Sequence, residues 1–314
     1  MQSLQLALNA VVPILIYLLM GRGLKRFNKI SETTRSELNK IIYVFCLPTV
    51  LFSNIYHAKE LDRSLVPYVL LLACLTILAL LLCLFLLSRK FKDKAKYTTM
   101  TQGIFRGNSL LFAVPISLSV VGEEGASLAS VALAFLVPLN TMCATIFMQI
   151  INLGQVDKKK LVLDVLKNPL IIGALCAFFL KFAGLKLPNA VTGVIKSIAS
   201  LTMPLSLVVL GAGLTFTDTK KYKTELFVVC LGKLVLVPLM FFLATKLFGF
   251  GRMHSTVALI IAAVPSVVSS YQYAVYLKGD GPLAAQMVAT TSVFSIVTIF
   301  FWMYFLSLLG LVGG

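Results

Sequence analysis

Acidic residues are scarce: 12 Asp and Glu stand against 28 Lys and Arg in 314 residues, and charged residues make up only 13%. A soluble domain carries about 25%. None of the acids lies deep in an apolar run. Glu123, Glu124 and Asp280 follow such runs, and Glu225 opens one. That leaves no buried carboxylate pair for proton or sodium coupling. Histidine is scarcer still. His57 and His254 both stand at run ends, and no H-E-x-x-H occurs. A mid-membrane proton relay, a metal site and an intramembrane hydrolase therefore lack their residues. The six cysteines (Cys46, Cys74, Cys83, Cys143, Cys176, Cys230) all fall inside apolar runs and form no C-x-x-C pair, so neither a metal centre nor a disulfide framework is expected. No cofactor is expected.

What the chain has in excess is apolar length. Hydrophobic residues make up 59% and gather in runs of about twenty, the length that spans ~30 Å of hydrocarbon. The runs are too long and too continuous for barrel strands of about ten alternating residues. Ten helical spans are read at 4–22, 37–56, 66–88, 99–121, 126–152, 168–184, 190–214, 224–247, 254–277 and 283–311. The first is followed, not preceded, by basic residues (Arg22, Lys25, Arg26), so it reads as a retained helix rather than a cleaved leader.

The net charge of +16 is explained by topology. Nineteen Lys and Arg lie in the odd-numbered loops, among them Arg22–Lys40, Arg89–Lys96, Lys158–Lys160 and Lys220–Lys223, against six in the even loops. Basic loops stay inside, so odd loops are placed in the cytoplasm and both termini outside the cell membrane. The basic residues form no single solvated face, which excludes nucleic acid as the partner. The lipid bilayer is the expected surrounding.

Ten spans divide into two repeats of five, 1–152 and 168–314, joined by a cytoplasmic linker at 153–167. Five spans per repeat make the second half inverted. Prolines recur at matching offsets: Pro13 and Pro169, and Pro48 and Pro204, are each 156 residues apart, while Pro115 and Pro265 are 150 apart. Spans 4 and 9 each set helix breakers among polar side chains at mid-membrane depth. Span 4 carries Arg106-Gly107-Asn108-Ser109 and then Pro115, and span 9 carries Val264-Pro265-Ser266 and then Ser269 and Gln272. Irregular backbone at that depth must be buried or line a wet cavity, and paired broken spans point to a transporter site. Gly107, Pro115, Val264 and Pro265 are read as the breaks. Free N–H groups at half-helix N-termini would suit a carboxylate.

Several stretches also carry a resemblance. Arg106-x-Asn108 followed by Pro115 is similar to the fourth helix of the auxin efflux carrier family. Phe45-x-x-Pro48-x-x-Leu51-Phe52-Ser53-Asn54 resembles its second, and Met203-Pro204-Leu205-Ser206-Leu207 through Gly213 its seventh. Ala262-Ala263-Val264-Pro265-Ser266 with Tyr276-x-x-x-Asp280 resembles its ninth. With no long central loop, the chain resembles the short bacterial members, often called malate permeases, rather than the plant auxin carriers. The resemblance implies an all-α membrane fold of ten helices in a 5+5 inverted repeat. Helices 4 and 9 would be broken and crossed, as in sodium/proton antiporters and bile-acid symporters. It further implies a homodimer, elevator-type motion and an Asn108 that contacts the substrate carboxylate. Gly107 departs from the proline that plant members place before this asparagine.

Arg106 and Lys233 lie deep in spans 4 and 8, where a charge costs about 2.5–3.5 kcal/mol on insertion scales. Arg106 is read as part of the site, since arginine grips carboxylates bidentately. For Lys233, snorkelling to the headgroups and a functional role stand equal. Substrate contacts are assigned to Asn108, Ser109, Arg106, Ser266, Ser269 and Gln272, with Pro48, Thr49, Asn140, Thr291 and Ser295 as candidate cavity lining. Asn140 suits the Pro138 kink and the substrate equally, and the hydroxyls of span 10 suit interhelical bonding as well. Glycines 211 and 213 are expected to permit close packing. Deep cations without deep acids favour a carrier exporting small organic anions under the membrane potential. The alternatives are a proton- or sodium-coupled malate or dicarboxylate permease and an anion channel.

Overall fold

Proline placement and apolar length decide where the helices run, bend and stop. The computed structural model describes residues 2–57, 65–156, 163, 166–214, 216 and 218–311, with side chains from Val12 onward. Regular structure among them is helical, apart from one backbone bridge described below. In chain order the helices are α1 (Gln2–Arg26), α2 (Glu32–His57), α3 (Leu65–Lys90), α4 (Lys94–Phe105), α5 (Ser109–Val121) and α6 (Glu123–Leu153). Then follow α7 (Pro169–Phe182), α8 (Asn189–Gly213), α9 (Lys223–Leu247), α10 (Arg252–Ala263), α11 (Ser270–Tyr276) and α12 (Gly281–Leu308). Helices α2, α3, α6, α8, α9 and α12 are each long and apolar enough to cross a bilayer, and α5, α7 and α10 are shorter apolar helices. Most of the expected linker, including Lys158–Lys160, and the loop with Lys59 and Arg63 lie outside the described residues.

Local chemistry sets the helix ends. The Asp93 carboxylate accepts from the Ala95 N–H at 2.9 Å to start α4, Asn168 caps α7 ahead of Pro169, and Asp280 accepts from the Leu283 N–H to start α12. A short side-chain acceptor satisfies an orphan donor of the first turn, and proline lacks the donor that would otherwise be left over. Inside the helices proline has another effect. Both α2 and α9 loosen into a π-helical turn two residues before a proline: Ile42–Cys46 before Pro48, and Gly232–Leu236 before Pro238. Proline cannot bond the carbonyl four residues back, and its ring crowds it. In α9 that carbonyl is Leu234 O, and it accepts instead from Trp302 Nε1 at 2.9 Å.

Helix α1 packs on α8 and α2 on α7, while α3 to α6 pack among α9 to α12. The α1–α8 contact is backbone against backbone. A Cβ on Gly211 would overlap the Leu18 carbonyl, and one on Gly21 the Val208 carbonyl. The close packing expected of Gly211 is therefore present, whereas Gly213 faces the Arg35 side chain. In the second pair Gly173 admits Pro48. Gly211→Val is expected to force the pair apart and lower stability by roughly 2–3 kcal/mol. A thermal melt in detergent reads this as a lowered Tm, with Gly23→Ala, at a position with open space around it, as the unchanged control. Large apolar side chains such as Leu70, Leu81 and Phe85 on α3 and Phe179 on α7 point outward. Apolar faces of that extent suit contact with lipid rather than water.

Candidate functional site

The two polar breaks meet inside the protein. Helix α4 ends at Phe105, the chain runs extended through Arg106, and α5 begins at Ser109; α10 ends at Ala263, the chain runs extended at Val264, and α11 begins at Ser270. Gly107 and Ser266 form an antiparallel backbone bridge, and the Asn108 N–H donates to Pro265 O at 2.8 Å. Two hydroxyls tie the crossing reciprocally. Ser109 Oγ donates to Ile261 O at 3.2 Å, and Ser266 Oγ donates to Gly103 O at 2.6 Å. Thr291 of α12 then receives the Ser266 N–H at 3.1 Å. Three backbone groups at the breaks, Ile261 O, Gly103 O and Ser266 N–H, are thus matched by hydroxyl side chains, which accounts for the serine and threonine there. Gly107 is required by space, because a Cβ would lie 2.6 Å from Val264 Cγ2 and 2.9 Å from Lys233 Nζ.

One expected break is corrected. Pro115 lies within the continuous helix α5, and the chain opens seven residues earlier, at Arg106–Asn108. Only the single bond that Pro115 would have made to the preceding turn is missing, and one lost bond does not end a helix held by neighbours. Pro265 accordingly faces Asn108, not Pro115.

Lys233 does not snorkel to the membrane surface. It is 1% exposed, and its Nζ donates to Ala262 O at 2.9 Å. The π-helical turn of α9 delivers it to the place where the C-terminal ends of α4 and α10 converge. Such ends carry partial negative charge, and a cation stabilises them. Lys233 also lines a small cavity of about 20 Å³ with Ser109, Thr76 and Asn140. That is room for about one water. Asn140 Oδ1 is buried there without a hydrogen-bond partner, so the asparagine belongs to this cavity and does not brace the Pro138 kink through that oxygen.

Arg106 is 5% exposed and turns towards α11. Its guanidinium reaches Gln102 Oε1 and Ser269 Oγ, each at 3.4 Å, and lies 4.3 Å from the Tyr273 ring centroid. Gln102 in turn donates to Ser270 O at 2.9 Å. Gln272 is exposed; the α11 residue that meets Arg106 is its neighbour Tyr273. Gln102 is not assigned from sequence, though it lies one helical turn before Arg106, the spacing at which side chains meet. Asn108 caps α5 without a side-chain capping bond. Its Nδ2 is buried with no partner. An amide donor of this kind, at the positive end of a helix, suits an anionic acceptor.

A far larger cavity, about 1100 Å³, opens between α2, α5, α6, α8 and α10. It reaches Leu110 and Leu111 in the first turn of α5, immediately beyond Asn108. Ser53, Asn54, Thr202 and Pro115 line it; of the span 2 candidates, Pro48 packs on Gly173 and Thr49 bonds Phe45 O, and neither lines it. Thr291 and Ser295 are fully buried and bond within or beside α12. Away from the crossing, the basic end of the same helices is tied together. Lys96 pairs with Glu225 at 3.1 Å, which raises the Lys96 ammonium above its ordinary range, and Tyr222 donates to Asp280 at 3.2 Å. Arg106, Lys233 and this paired Glu225 are the buried charges among the described residues, and no cluster of metal-ligating side chains occurs among them.

Comparison with known proteins agrees with this architecture. The sequence profile described as "Membrane transport protein" matches residues 6–160 and 155–303. An uncharacterized transporter of Methanocaldococcus jannaschii is 25% identical over 308 residues, covering 94% of this chain and 97% of that protein. Another, of Methanothermobacter thermautotrophicus, is 22% identical over 303 residues, covering 94% and 96%. With the two matches spanning nearly the whole chain, around the crossing its motifs foretold, the chain belongs to the membrane transport protein family, that of the auxin efflux carriers.

Proposed function

We propose that this protein is a secondary carrier for small organic anions, holding the substrate carboxylate at the crossing. The observation that carries the reading is the buried, unpartnered Asn108 amide beside two buried cations, with no buried acid unpaired among the described residues. Desolvated cations strengthen every interaction with a bound anion, and no carboxylate at the crossing competes for them. Ten crossings arranged as a 5+5 inverted repeat fit the reciprocal contacts. Spans 1 and 7 pack as do spans 6 and 2, and the bonds from Ser109 to Ile261 and from Ser266 to Gly103 exchange under the same operation. In this reading α1, α2, α7 and α8 form the fixed unit, as a homodimer in the cell membrane with both termini outside. The remaining helices carry the crossing across the bilayer in an elevator motion, and the 1100 Å³ cavity is its outward mouth.

Lys233 occupies the crossing permanently, so no co-transported cation is needed to neutralise the helix ends there. Flux of a monovalent anion then follows voltage: 100 mV, inside negative, supplies about 2.3 kcal/mol per charge towards export. The test is a screen of monocarboxylates, dicarboxylates and indole acids by thermal shift, followed by flux of the hits in proteoliposomes with a clamped potential. Reversing the potential is expected to reverse net flux at equal concentrations. Flux that ignores voltage and requires a proton or sodium gradient would favour the coupled permease. Single-channel conductance would favour a channel.

A further inference from the structure

We infer that Asn54 is a sliding contact between the fixed and moving units: its amide holds Ser130 in this state and passes to Ser127 as the moving unit travels inward by one helical turn. The inference rests on the elevator reading above. Asn54 Nδ2 donates to Ser130 Oγ at 2.9 Å, which joins α2 of the fixed unit to α6 of the moving one. The α2 end is anchored two residues on. Tyr56 Oη donates to Leu185 O at 3.2 Å and accepts from the Leu187 N–H at 2.8 Å, both in the connection between α7 and α8. The α6 end travels with the crossing, because α6 packs on α5. Beside the bond the seam is apolar and small-featured: Ile55 of α2, Val131 of α6, and Ala174 and Ala177 of α7 form a buried cluster of their own. Alanines leave shallow ridges, so helices can shift past one another there with little interlocking.

Ser130 is fully buried. Ser127 stands three residues before it, on the neighbouring turn of the same α6 face, half-buried at the edge of the large cavity that Asn54 also lines. Three residues span ~4.5 Å of helix axis. With both termini outside, as proposed, α6 runs from the outer end to the cytoplasmic end. An inward slide of the moving unit therefore brings lower-numbered residues of α6 level with Asn54, and Ser127 is the first hydroxyl to arrive. Shifts of one turn, ~5.4 Å, are a known way for one helix to repack on another. The exchange orphans neither partner. A buried serine can turn its hydroxyl to the carbonyl four residues back in its own helix, and the Asn54 amide stays paired because Ser127 supplies the acceptor. One bond is broken and one is made, which costs less than leaving a buried polar group unpaired.

The test is disulfide trapping in proteoliposomes, which needs no known substrate. Asn54→Cys is combined in turn with Ser130→Cys, Ser127→Cys and Ala134→Cys. Each bridge is followed by peptide mass spectrometry, which distinguishes it from a bridge to a native cysteine. Ala134 lies four residues to the other side of Ser130, and an inward slide carries it away from Asn54. The bridges to Ser130→Cys and Ser127→Cys are expected to close at similar rates, and the bridge to Ala134→Cys about tenfold more slowly, since a disulfide tolerates little separation. Equal rates for Ser127→Cys and Ala134→Cys overturn the sliding contact, because a fixed contact that only fluctuates treats both sides alike. Without added cysteines, Ser127→Ala is expected to lower kcat about fivefold with KM unchanged, and Ser127→Thr to retain the wild-type rate. An unchanged kcat in Ser127→Ala also overturns the inference. With an acid found by the screen, closing the bridge to Ser130→Cys is expected to stop flux, and reducing it to restore flux. Flux that persists through the closed bridge shows that the two units do not slide, and refutes the elevator reading itself.

Discussion

Asn108→Ala is expected to weaken binding of every acid that the wild-type protein recognises, by about 10- to 100-fold, the worth of a hydrogen bond to a charged group. The fold should barely notice. Its Nδ2 has no partner within the protein, and the bond that fixes the crossing at this residue is made by its backbone N–H to Pro265 O. Alanine keeps that N–H. The expected pattern is therefore an unchanged Tm within the equivalent of about 1 kcal/mol, together with a lost thermal shift on adding ligand. Asn108→Asp sharpens the comparison, because it keeps the shape but places a like charge against the carboxylate and should abolish binding. Unchanged affinities in Asn108→Ala would remove the crossing from the substrate path.

Lys233→Met is expected to weaken substrate affinity about thirtyfold, and to cut transport at low substrate accordingly, while leaving a folded protein. Methionine fills nearly the same volume, and replacing a buried charge by an apolar side chain is often neutral for stability. Two effects oppose each other. Ala262 O loses its donor, at a cost of about 1–3 kcal/mol, and the α4 and α10 ends lose their countercharge. Against this, the ammonium need no longer be desolvated, a saving of several kcal/mol. Function has no such compensation. A unit charge about 8 Å from a bound carboxylate, at an effective dielectric of 20, contributes about 2 kcal/mol, or about thirtyfold in affinity. Circular dichroism and a melt check the fold, and proteoliposome flux checks the loss. Undiminished flux at low substrate in Lys233→Met would show that the crossing does not use this charge for its anion.

The breaks were legible in the sequence because polar residues and helix breakers have no other reason to sit together at mid-membrane depth. Arg106, Asn108, Ser109 and Ser266 all come to the crossing for that reason. Proline was a poorer guide. Pro115 and Pro265 look alike in a sequence, yet only Pro265 stands where the helix opens, since neighbouring helices hold α5 together past its missing bond. The fate of Lys233 was illegible because it depends on a π-helical turn, and that turn depends on Pro238 and on a donor 68 residues away, Trp302. The α11 partner of Arg106 was hidden for a different reason. Whether Gln272 or Tyr273 faces Arg106 is set by where α11 restarts after the break, which no periodicity fixes in a helix of seven residues.

Trp302 is also the single tryptophan of the chain, and its indole N–H is bonded within the turn that holds Lys233, to the carbonyl of the very next residue. Indole emission responds to the polarity and hydrogen bonding around that nitrogen. The protein therefore carries an intrinsic fluorophore one residue from its buried charge. Any rearrangement of the α9 turn should register as a shift in emission, without a label, in a protein otherwise silent at tryptophan wavelengths.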